Sequence, residues 1–368
     1  MSCSRLLLLC PYKAFRIAPL PSRPSAVASQ KEFVFYQCQP RLLTTGTSNI
    51  QKIVTAATER VGETGRRYAV ERTLQEKQHP TSGVYLATAG NERFILKDVP
   101  RSIFEIARGL YQNLDANPYL RLPQDTIPGR GTFVYKYFSD HFLDLVQRDL
   151  PINLTKRILK DTLRGIAALH DKDIVHADIK PNNIAVECTD GANGLTVEKV
   201  QLADIEDAAH VPTDSSIVGK QVGNMMWRSP EGHAYGPVNK PSDIFSFGIV
   251  CIYAMTKRVI FAVAPEELGE GEQPLALVIE RQISYFADQD SFEAFMRHIG
   301  EASPWCEIFK VLRDGFNAEN PRRPFSLWEG KGVEDADFKD LVGALTHFDP
   351  AKRLTAHQAL AHKWFDGI

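Results

Sequence analysis

The chain has 368 residues, a formal net charge of −2 at pH 7 and 43% hydrophobic residues, which is an ordinary globular composition. Because the charge is almost balanced, the composition predicts no nucleic-acid partner. The longest apolar stretch, residues 245–255, is shorter than the ~20 residues that a membrane-spanning helix needs, so we expect no membrane span. The length predicts two domains or lobes.

The first 50 residues differ from the rest in composition. They contain six basic residues and a single acidic one, Glu32, together with many serines and threonines. This composition is typical of a mitochondrial transit peptide. The alternative is a disordered basic tail that carries no targeting signal. We predict that residues 1–66 are unstructured and that the protein is cytoplasmic, with mitochondrial import as the alternative.

Residues 67–138 are predicted to form a small, strand-rich lobe. Two β-rich runs, 83–88 and 93–97, flank a Gly-Asn turn and indicate a hairpin. A helix is predicted over 103–114, because its apolar pattern ends before an Asn-Pro pair. A further strand is predicted over 132–137.

The remainder, residues 139–368, is predicted to be mainly helical. Apolar residues spaced three and four apart over 154–169 indicate one long amphipathic helix. A run that is apolar on all sides over 241–258 indicates a helix in the interior. Shorter amphipathic patterns cover 338–345 and 356–362. A small β-rich lobe before a larger helical lobe gives a two-lobed α+β fold.

The residues with the clearest chemical meaning follow the long predicted helix. His176, Asp178, Lys180 and Asn183 stand at the spacing H-x-D-x-K-x-x-N, which occurs by chance on the order of 10⁻⁵ per window at ~5% per residue type. The segment resembles the catalytic loop of the eukaryotic protein kinase superfamily in its serine/threonine form, with Ala177 in place of the usual arginine. A lone Asp-x-Lys would more simply be a surface ion pair, so the assignment depends on further motifs.

The resemblance implies a role for each of these residues. Asp178 would accept or orient the proton of the attacking hydroxyl, and Lys180 would lie beside the transferred γ-phosphoryl group of ATP. Asn183 would ligate Mg²⁺ together with Asp204, which resembles the aspartate of the D-F-G segment. The triplet here is Asp-Ile-Glu, with Glu206 in place of the glycine. A turn residue without a metal role is the alternative for Asp204.

Upstream residues extend the resemblance to a nucleotide site. The sequence Phe-Ile-Leu-Lys that ends at Lys97 resembles V-A-I-K, so Lys97 would bind the α- and β-phosphates of ATP. Glu105, on the following helix, would pair with this lysine. Val84 would contact the nucleotide. Residues 136–138, which include Tyr137, would form the hinge that faces the adenine, with Tyr135 before them as gatekeeper.

Downstream motifs carry the resemblance to residue 365. Glu231 and Arg353 match a glutamate and an arginine that pair inside the helical lobe of the family. Asp243 matches an aspartate that bonds the backbone of the catalytic loop. We expect these three residues to be structural, because a buried pair of this kind is costly to break.

Departures from the family pattern leave alternatives open. The glycine positions of the glycine-rich loop hold Lys77, His79 and Ser82, and Ala177 makes this a non-RD type without the arginine that binds a regulatory phosphate. The first hypothesis is an active Mg·ATP-dependent serine/threonine kinase acting on a protein substrate. The second is a pseudokinase that serves as a nucleotide-binding or protein-binding scaffold, and the third is a small-molecule kinase of related fold. The sequence predicts neither the substrate nor the oligomeric state.

Overall fold

The computed structural model describes residues 58–77, 82–192 and 194–368. The basic N-terminal segment with its predicted transit peptide lies outside the described residues. So do residues 78–81, which include His79 of the predicted glycine-rich loop. In the described chain the long strands come first and most of the helices follow, which is the α+β order that the sequence predicts.

The N-terminal part of the described chain forms a sheet of six antiparallel strands. These are β1 (Glu59–Val61), β2 (Arg67–Lys77), β3 (Ser82–Ala89), β4 (Glu92–Asp98), β5 (Asp125–Ile127) and β6 (Thr132–Lys136). Their order across the sheet is β1-β2-β3-β4-β6-β5. The predicted hairpin is present as β3 and β4, and β2 and β3 remain paired up to Lys77 and Ser82.

The prediction that residues 1–66 are unstructured is wrong for residues 58–66. β1 pairs with β2 residue by residue, and the inward-facing Arg60 lies 2.7 Å from the carboxylate of Asp98. A three-residue strand whose single inward side chain is a paired arginine shows no alternation of apolar residues. Its sequence therefore carries no strand signal.

Helix α1 (Arg101–Gln112) packs against the inner face of this sheet. Its buried residues, Phe104, Ala107 and Tyr111, recur at the spacing of one helical face. The ring of Phe133 in β6 lies 4.7 Å from the ring of Phe104 and 5.2 Å from that of Tyr111. These aromatic contacts set which side of α1 faces the protein interior.

The C-terminal part of the chain is mainly helical. Its helices are α2 (Phe142–Leu145), α3 (Ile152–His170), α4 (Pro230–His233), α5 (Lys240–Thr256), α6 (Pro274–Phe286), α7 (Gln289–Ile299), α8 (Pro304–Asp314), α9 (Ala336–Leu345) and α10 (Ala356–Leu360). α3 is the predicted long amphipathic helix, and α5 is the predicted interior helix, buried from Ser242 to Ala254. Over the described ranges, no helix is both long and apolar enough to cross a membrane.

Short strands hold the loops that carry the candidate site. β7 (Asp140–His141), β9 (Ile184–Gly191) and β10 (Gly194–Leu202) form one small sheet, and β8 (Ile174–Val175) pairs with β11 (Ala209–His210). The segment 176–183 is thus held between β8 and β9, and Asp204 follows the end of β10. One continuous core extends from the buried residues of α3 and α5 to Phe133 and Tyr135 on the first sheet, so the two lobes share apolar contacts.

Candidate active site

Asp178 is the centre of a group of polar side chains in the loop between β8 and β9. Its Oδ2 accepts hydrogen bonds from the Lys180 ammonium and, at 3.3 Å, from the Asn183 amide. Its Oδ1 accepts from the backbone N–H of Asn224 at 2.9 Å. The side chains of Asp178 and Lys180 are only partly buried. The structure therefore brings Asp178, Lys180 and Asn183 together at a place that a substrate can reach.

A buried carboxylate holds the backbone of this loop. Asp243 of α5 is 1% exposed and accepts hydrogen bonds from the backbone N–H groups of His176 and Ala177, each at 2.8 Å. Charge-assisted bonds of this kind are short and strong. The backbone turns at Ala177, where φ is 65°, and Gly223 packs so closely on the Ala177 carbonyl that any Cβ there would collide with it. The predicted structural role of Asp243 is confirmed by these contacts.

Val84, Lys97 and Tyr135 lie on one face of the first sheet. Val84 stands directly opposite Lys97 in the β3–β4 pair, and Tyr135 stands opposite Ile95, two residues before Lys97. Paired positions and every second residue of a strand share a face. This face is turned toward the C-terminal lobe, because Lys97 makes its contacts there.

Lys97 bridges the two lobes. Its Nζ lies 2.9 Å from Oδ1 of Asp204 and 3.2 Å from Oε2 of Glu206. Burial alone would lower the pKa of the Lys97 ammonium, but the charges of Glu206 and Asp204 outweigh burial and raise that pKa. Enclosure between the lobes would raise the pKa of the Asp204 carboxyl, but the charge and hydrogen bond of Lys97 hold it below its usual value. Both groups are therefore charged at neutral pH.

The predicted partner of Lys97 on α1, Glu105, does not make this contact. Its side chain is 56% exposed, and its nearest cation is Arg101 of the same helix at 4.0 Å. The assignment of Glu105 to the nucleotide site is wrong for this structure, and Glu206 stands beside Lys97 instead. The reason is the orientation of α1, because Phe104 and Ala107 fill its inward face and leave Glu105 in solvent.

Glu206 is a buried carboxylate whose two oxygens both have partners. Its side chain is 3% exposed, with Oε2 facing Lys97 and Oε1 accepting a hydrogen bond from the Tyr135 hydroxyl. The Tyr135 hydroxyl in turn lies 2.9 Å from the Tyr111 hydroxyl on α1. Burial, followed by the charge of Glu206, raises the pKa of both tyrosines. Both therefore remain neutral hydroxyls at any physiological pH.

Asn183 and Asp204, the predicted Mg²⁺ ligands, lie next to each other. The backbone N–H of Ala203 donates to the Asn183 carbonyl at 2.8 Å, so the residue before Asp204 is bonded directly to Asn183. The Asp204 side chain is 45% exposed and accessible to an ion. Amide and carboxylate oxygens are the donors that Mg²⁺ prefers, and it usually completes its shell with phosphate oxygens and water. The donor set therefore fits a magnesium ion shared with a triphosphate.

Phe138 occupies space beside these candidate ligands. It is the last residue of the predicted hinge, is 9% exposed and packs on Ala185 and Ala203. Ala185 follows Asn183 by two residues, and Ala203 directly precedes Asp204. The two small side chains leave room for an aromatic ring. If the hinge faces the adenine as the resemblance implies, the ring lies where the base would bind.

Arg121 lines the same part of the cleft. Its guanidinium carbon lies 5.7 Å from the centre of the Phe138 ring and 5.3 Å from that of Tyr135. It donates a hydrogen bond to the carbonyl of Lys136, the first hinge residue, at 3.0 Å. A cation against two aromatic faces and a carbonyl is a favourable arrangement. One acceptor of the hinge backbone is therefore already in use.

Tyr137 is placed differently from the other predicted nucleotide contacts. Its ring lies against the guanidinium of Arg93, 4.4 Å from the ring centre, and its backbone N–H donates to the Arg93 carbonyl at 3.0 Å. The side-chain partner of Tyr137 is thus a residue of β4, outside the group around Lys97. Its predicted contact with the nucleotide stays a prediction.

A buried ion pair fixes the segment that follows Asp204. Glu231 and Arg353 form two parallel hydrogen bonds of 2.6 and 2.9 Å, and their side chains are 1% and 0% exposed. Arg353 also donates to the carbonyls of His347 and Pro241. Burial would raise the pKa of Glu231, but Arg353 holds it below its usual value. The predicted structural pair is confirmed.

Sequence motifs alone do not assign three residues that shape the cleft. For Glu206 the available signal is a charge at a position where the family has glycine, and that signal does not name its partner. Arg121 and Tyr111 carry no signal, because neither belongs to a motif. Their contacts exist only once α1 and the hinge are packed together.

Comparison with known proteins gives the same family for most of this site. Residues 117–365 match the protein kinase domain family. The matched range contains the loop of Asp178, Asp204 and the Glu231–Arg353 pair, and it begins after Lys97 in the chain.

Individual relatives are distant. The chain is 25% identical to the serine/threonine-protein kinase AFC1 of Arabidopsis thaliana over 241 residues, which is 59% of this chain and 50% of that protein. It is 25% identical over 216 residues to the extracellular signal-regulated kinase 1 of Dictyostelium discoideum, which is 56% of this chain and 34% of that protein. The chain thus spans half or less of the length of these two relatives.

A solved structure shows the same fold. It is the crystal structure of the yeast RNA Pol II CTD kinase CTDK-1 complex, which covers 77% of this chain and 90% of its own with a TM-score of 0.59. Sequence identity is 18%. The likeness therefore concerns the fold alone, the two-lobed arrangement of a β-rich and a helical part.

Proposed function

Since this chain belongs to the protein kinase domain family, we propose that it transfers the γ-phosphoryl group of Mg·ATP to a serine or threonine hydroxyl of a protein. The observation that carries the proposal is the convergence of two groups of side chains. Lys97 and Asp204 meet across the lobes at 2.9 Å, and Asp178 with Lys180 lies in the loop bonded to Asn183. Phosphoryl transfer depends on such positioning and charge neutralisation more than on covalent help.

The arrangement supports a distinct role for each side chain. As the hydroxyl oxygen bonds to the γ-phosphorus, the bond from that phosphorus to the bridging oxygen of ADP breaks, and the hydroxyl proton passes to Asp178. Lys180 lies beside the Asp178 carboxylate, where it would contact the transferred group. Lys97 would hold the α- and β-phosphates from the N-terminal lobe.

The metal ligands of the proposed site are Asn183 and Asp204. A magnesium ion held there supplies neutralisation of the negative charge that collects on the phosphate oxygens. The low pKa of the Asp204 carboxyl keeps it ionised and ready to bind a cation.

The direct test measures phosphoryl transfer. Purified chain is incubated with labelled Mg·ATP and generic protein substrates, and labelled residues are identified after hydrolysis. We expect labelled serine or threonine, and a loss of roughly 10²–10⁴-fold in kcat for Asp178→Asn, because the proton acceptor is removed.

The matched control for this test is Asp171→Asn. Asp171 is an exposed carboxylate that pairs with His357 at the surface, so its amide should leave transfer unchanged. Transfer that survives in Asp178→Asn, or label found on tyrosine alone, would contradict the proposal.

A second candidate is a scaffold that binds partners without transferring phosphate. The observation that favours it is the packing of Phe138 on Ala185 and Ala203, with Arg121 on the hinge carbonyl. A chain that keeps this arrangement would show no thermal shift with Mg·ATP and no transfer in the assay above.

A further inference from the structure

We propose that Glu206, rather than a glutamate of α1, is the positioning residue that holds Lys97 in place for the nucleotide phosphates. The proposal rests on the proposed function, because Lys97 has phosphates to bind only if the chain binds a nucleotide. It assigns the positioning carboxylate and the metal-binding Asp204 to one short segment, three residues long. The helix that usually carries the carboxylate has no part in the ion pair.

The segment that carries Glu206 is held by its surroundings. Asp204 has a left-handed backbone, with φ 61° and ψ 42°, which directs the chain into the turn Ile205–Asp207. A left-handed residue other than glycine costs roughly 1 kcal/mol and persists where neighbours hold it. Ile205 is 0% exposed, and α1 packs on the turn. The Glu206 side chain is thus directed toward Lys97 by the buried Ile205 before it and by the packing of α1 on the turn.

The charges at this place also favour Glu206 as the lasting partner of Lys97. Asp204 is 45% exposed and is the predicted metal ligand, so its charge is shared between Lys97 and any bound cation. Glu206 is 3% exposed, and both its oxygens face protein donors. A carboxylate this deeply buried needs a paired cation, and among the described residues Lys97 is the cation within ion-pair distance of it. The two side chains therefore depend on each other.

This arrangement changes what α1 contributes. Glu105 is in solvent beside Arg101, so displacement of α1 would not remove a carboxylate from Lys97. The hydrogen-bonded connection from α1 to the ion pair runs through the Tyr111 and Tyr135 hydroxyls. Loss of that connection would leave the Lys97–Glu206 contact itself in place.

The experiment compares two glutamates by the same chemical change. Mg·ATP affinity and the steady-state constants are measured for Glu206→Gln, Glu206→Asp and Glu105→Gln in the full chain. Glutamine keeps the shape and can still accept the Tyr135 hydrogen bond through its oxygen, while its NH₂ group replaces the charged acceptor that faces Lys97. We expect Glu206→Gln to weaken Mg·ATP binding and raise its KM by roughly tenfold to a hundredfold, the range for a lost charged hydrogen bond.

The other two variants separate positioning from general damage. Glu206→Asp retains the charge and should recover part of the affinity, and Glu105→Gln should stay within about twofold of the natural chain, as an exposed pair predicts. Unchanged or tighter binding in Glu206→Gln overturns the proposal, and so does an equal loss in Glu105→Gln. If the natural chain binds Mg·ATP but transfers no phosphoryl group, only the proposed function is overturned. If the natural chain does not bind Mg·ATP, both the proposed function and the role of Glu206 are overturned.

A double-mutant cycle keeps the test independent of catalysis. Denaturant midpoints are measured for Lys97→Met with Glu206→Gln, singly and together, and likewise for Lys97→Met with Glu105→Gln. We expect the first cycle to be clearly non-additive and the second to be additive, because only the first pair is in contact. Two additive cycles would overturn the proposal even if Glu206→Gln proved hard to express.

Discussion

At the scale of single residues, Phe138 and Arg121 would decide how the base of the proposed nucleotide enters between the hinge and the C-terminal lobe. The Phe138 ring is buried against Ala185 and Ala203, and the Arg121 guanidinium holds the Lys136 carbonyl. A base would have to displace the ring from these contacts. Withdrawing a buried Phe side chain costs about 1.5–3 kcal/mol, enough to reduce affinity by one to two orders of magnitude.

We therefore expect Phe138→Ala to tighten Mg·ATP binding by about tenfold, since that cost is no longer incurred. Isothermal titration of the natural chain and the variant measures the change. Phe138→Trp keeps the space filled with an aromatic ring and should show no gain. If the alanine variant binds no more tightly than the tryptophan variant, the ring does not compete with the base.

At the scale of elements, a buried ion pair attaches the end of the segment from Asp204 to α4 to the rest of the C-terminal lobe. Glu231 opens α4, and Arg353 reaches it from the chain before α10. The pair is buried and joined by two hydrogen bonds, so removal of one partner leaves an unpaired charge that water cannot solvate. Exposed pairs such as Arg148–Asp190 have no such penalty, because water replaces the lost partner.

We expect Arg353→Met to lower the free energy of unfolding by roughly 3–5 kcal/mol, against less than about 1 kcal/mol for Arg148→Met. Urea denaturation of both variants measures the difference. Adding Glu231→Gln to Arg353→Met should recover part of the loss, because no charge is then stranded. Equal losses in the two single variants would show that the buried pair is no more important than a surface one.

At the scale of the whole molecule, acid stability depends on groups that fold in an uncharged form. His233 of α4 is 0% exposed, and both its ring nitrogens are buried. Burial, then the charge of Arg228, lowers the pKa of His233 to about 3 from 6.5. The unfolded chain therefore binds a proton at this residue between these pH values and the folded chain does not, so stability falls as pH falls through that window.

His233→Asn should flatten the pH dependence of the unfolding free energy between about pH 6.5 and 3, since asparagine does not titrate there. The expected change over the window is on the order of a few kcal/mol. Denaturation series at several pH values measure it, with His357→Gln, an exposed histidine, as the control. A slope unaltered by His233→Asn would mean that other groups carry the acid sensitivity.

The sequence by itself determined the elements with strong periodicity and the residues that belong to motifs. Helical spacing identified α3 and α5, and the order of the motifs identified Lys97 and Asp204 as neighbours in space. These features can be predicted from the sequence because each is set by local spacing or by a family pattern. The three-residue strand β1 was not predicted, because its inward residue is the charged Arg60, whose burial depends on pairing with Asp98.

Tertiary structure alone decided which acidic residue pairs with Lys97 and which side chains pack beside the hinge. Glu105 and Glu206 are equally charged in the sequence. Phe104 and Ala107 turn the inner face of α1 toward the sheet, which leaves Glu105 in solvent. The turn after Asp204 buries Glu206 beside Lys97. The packing of Phe138 likewise depends on two alanines far away in the chain. These contacts depend on which parts of the chain pack against each other in the folded protein, and no local sequence pattern specifies that packing.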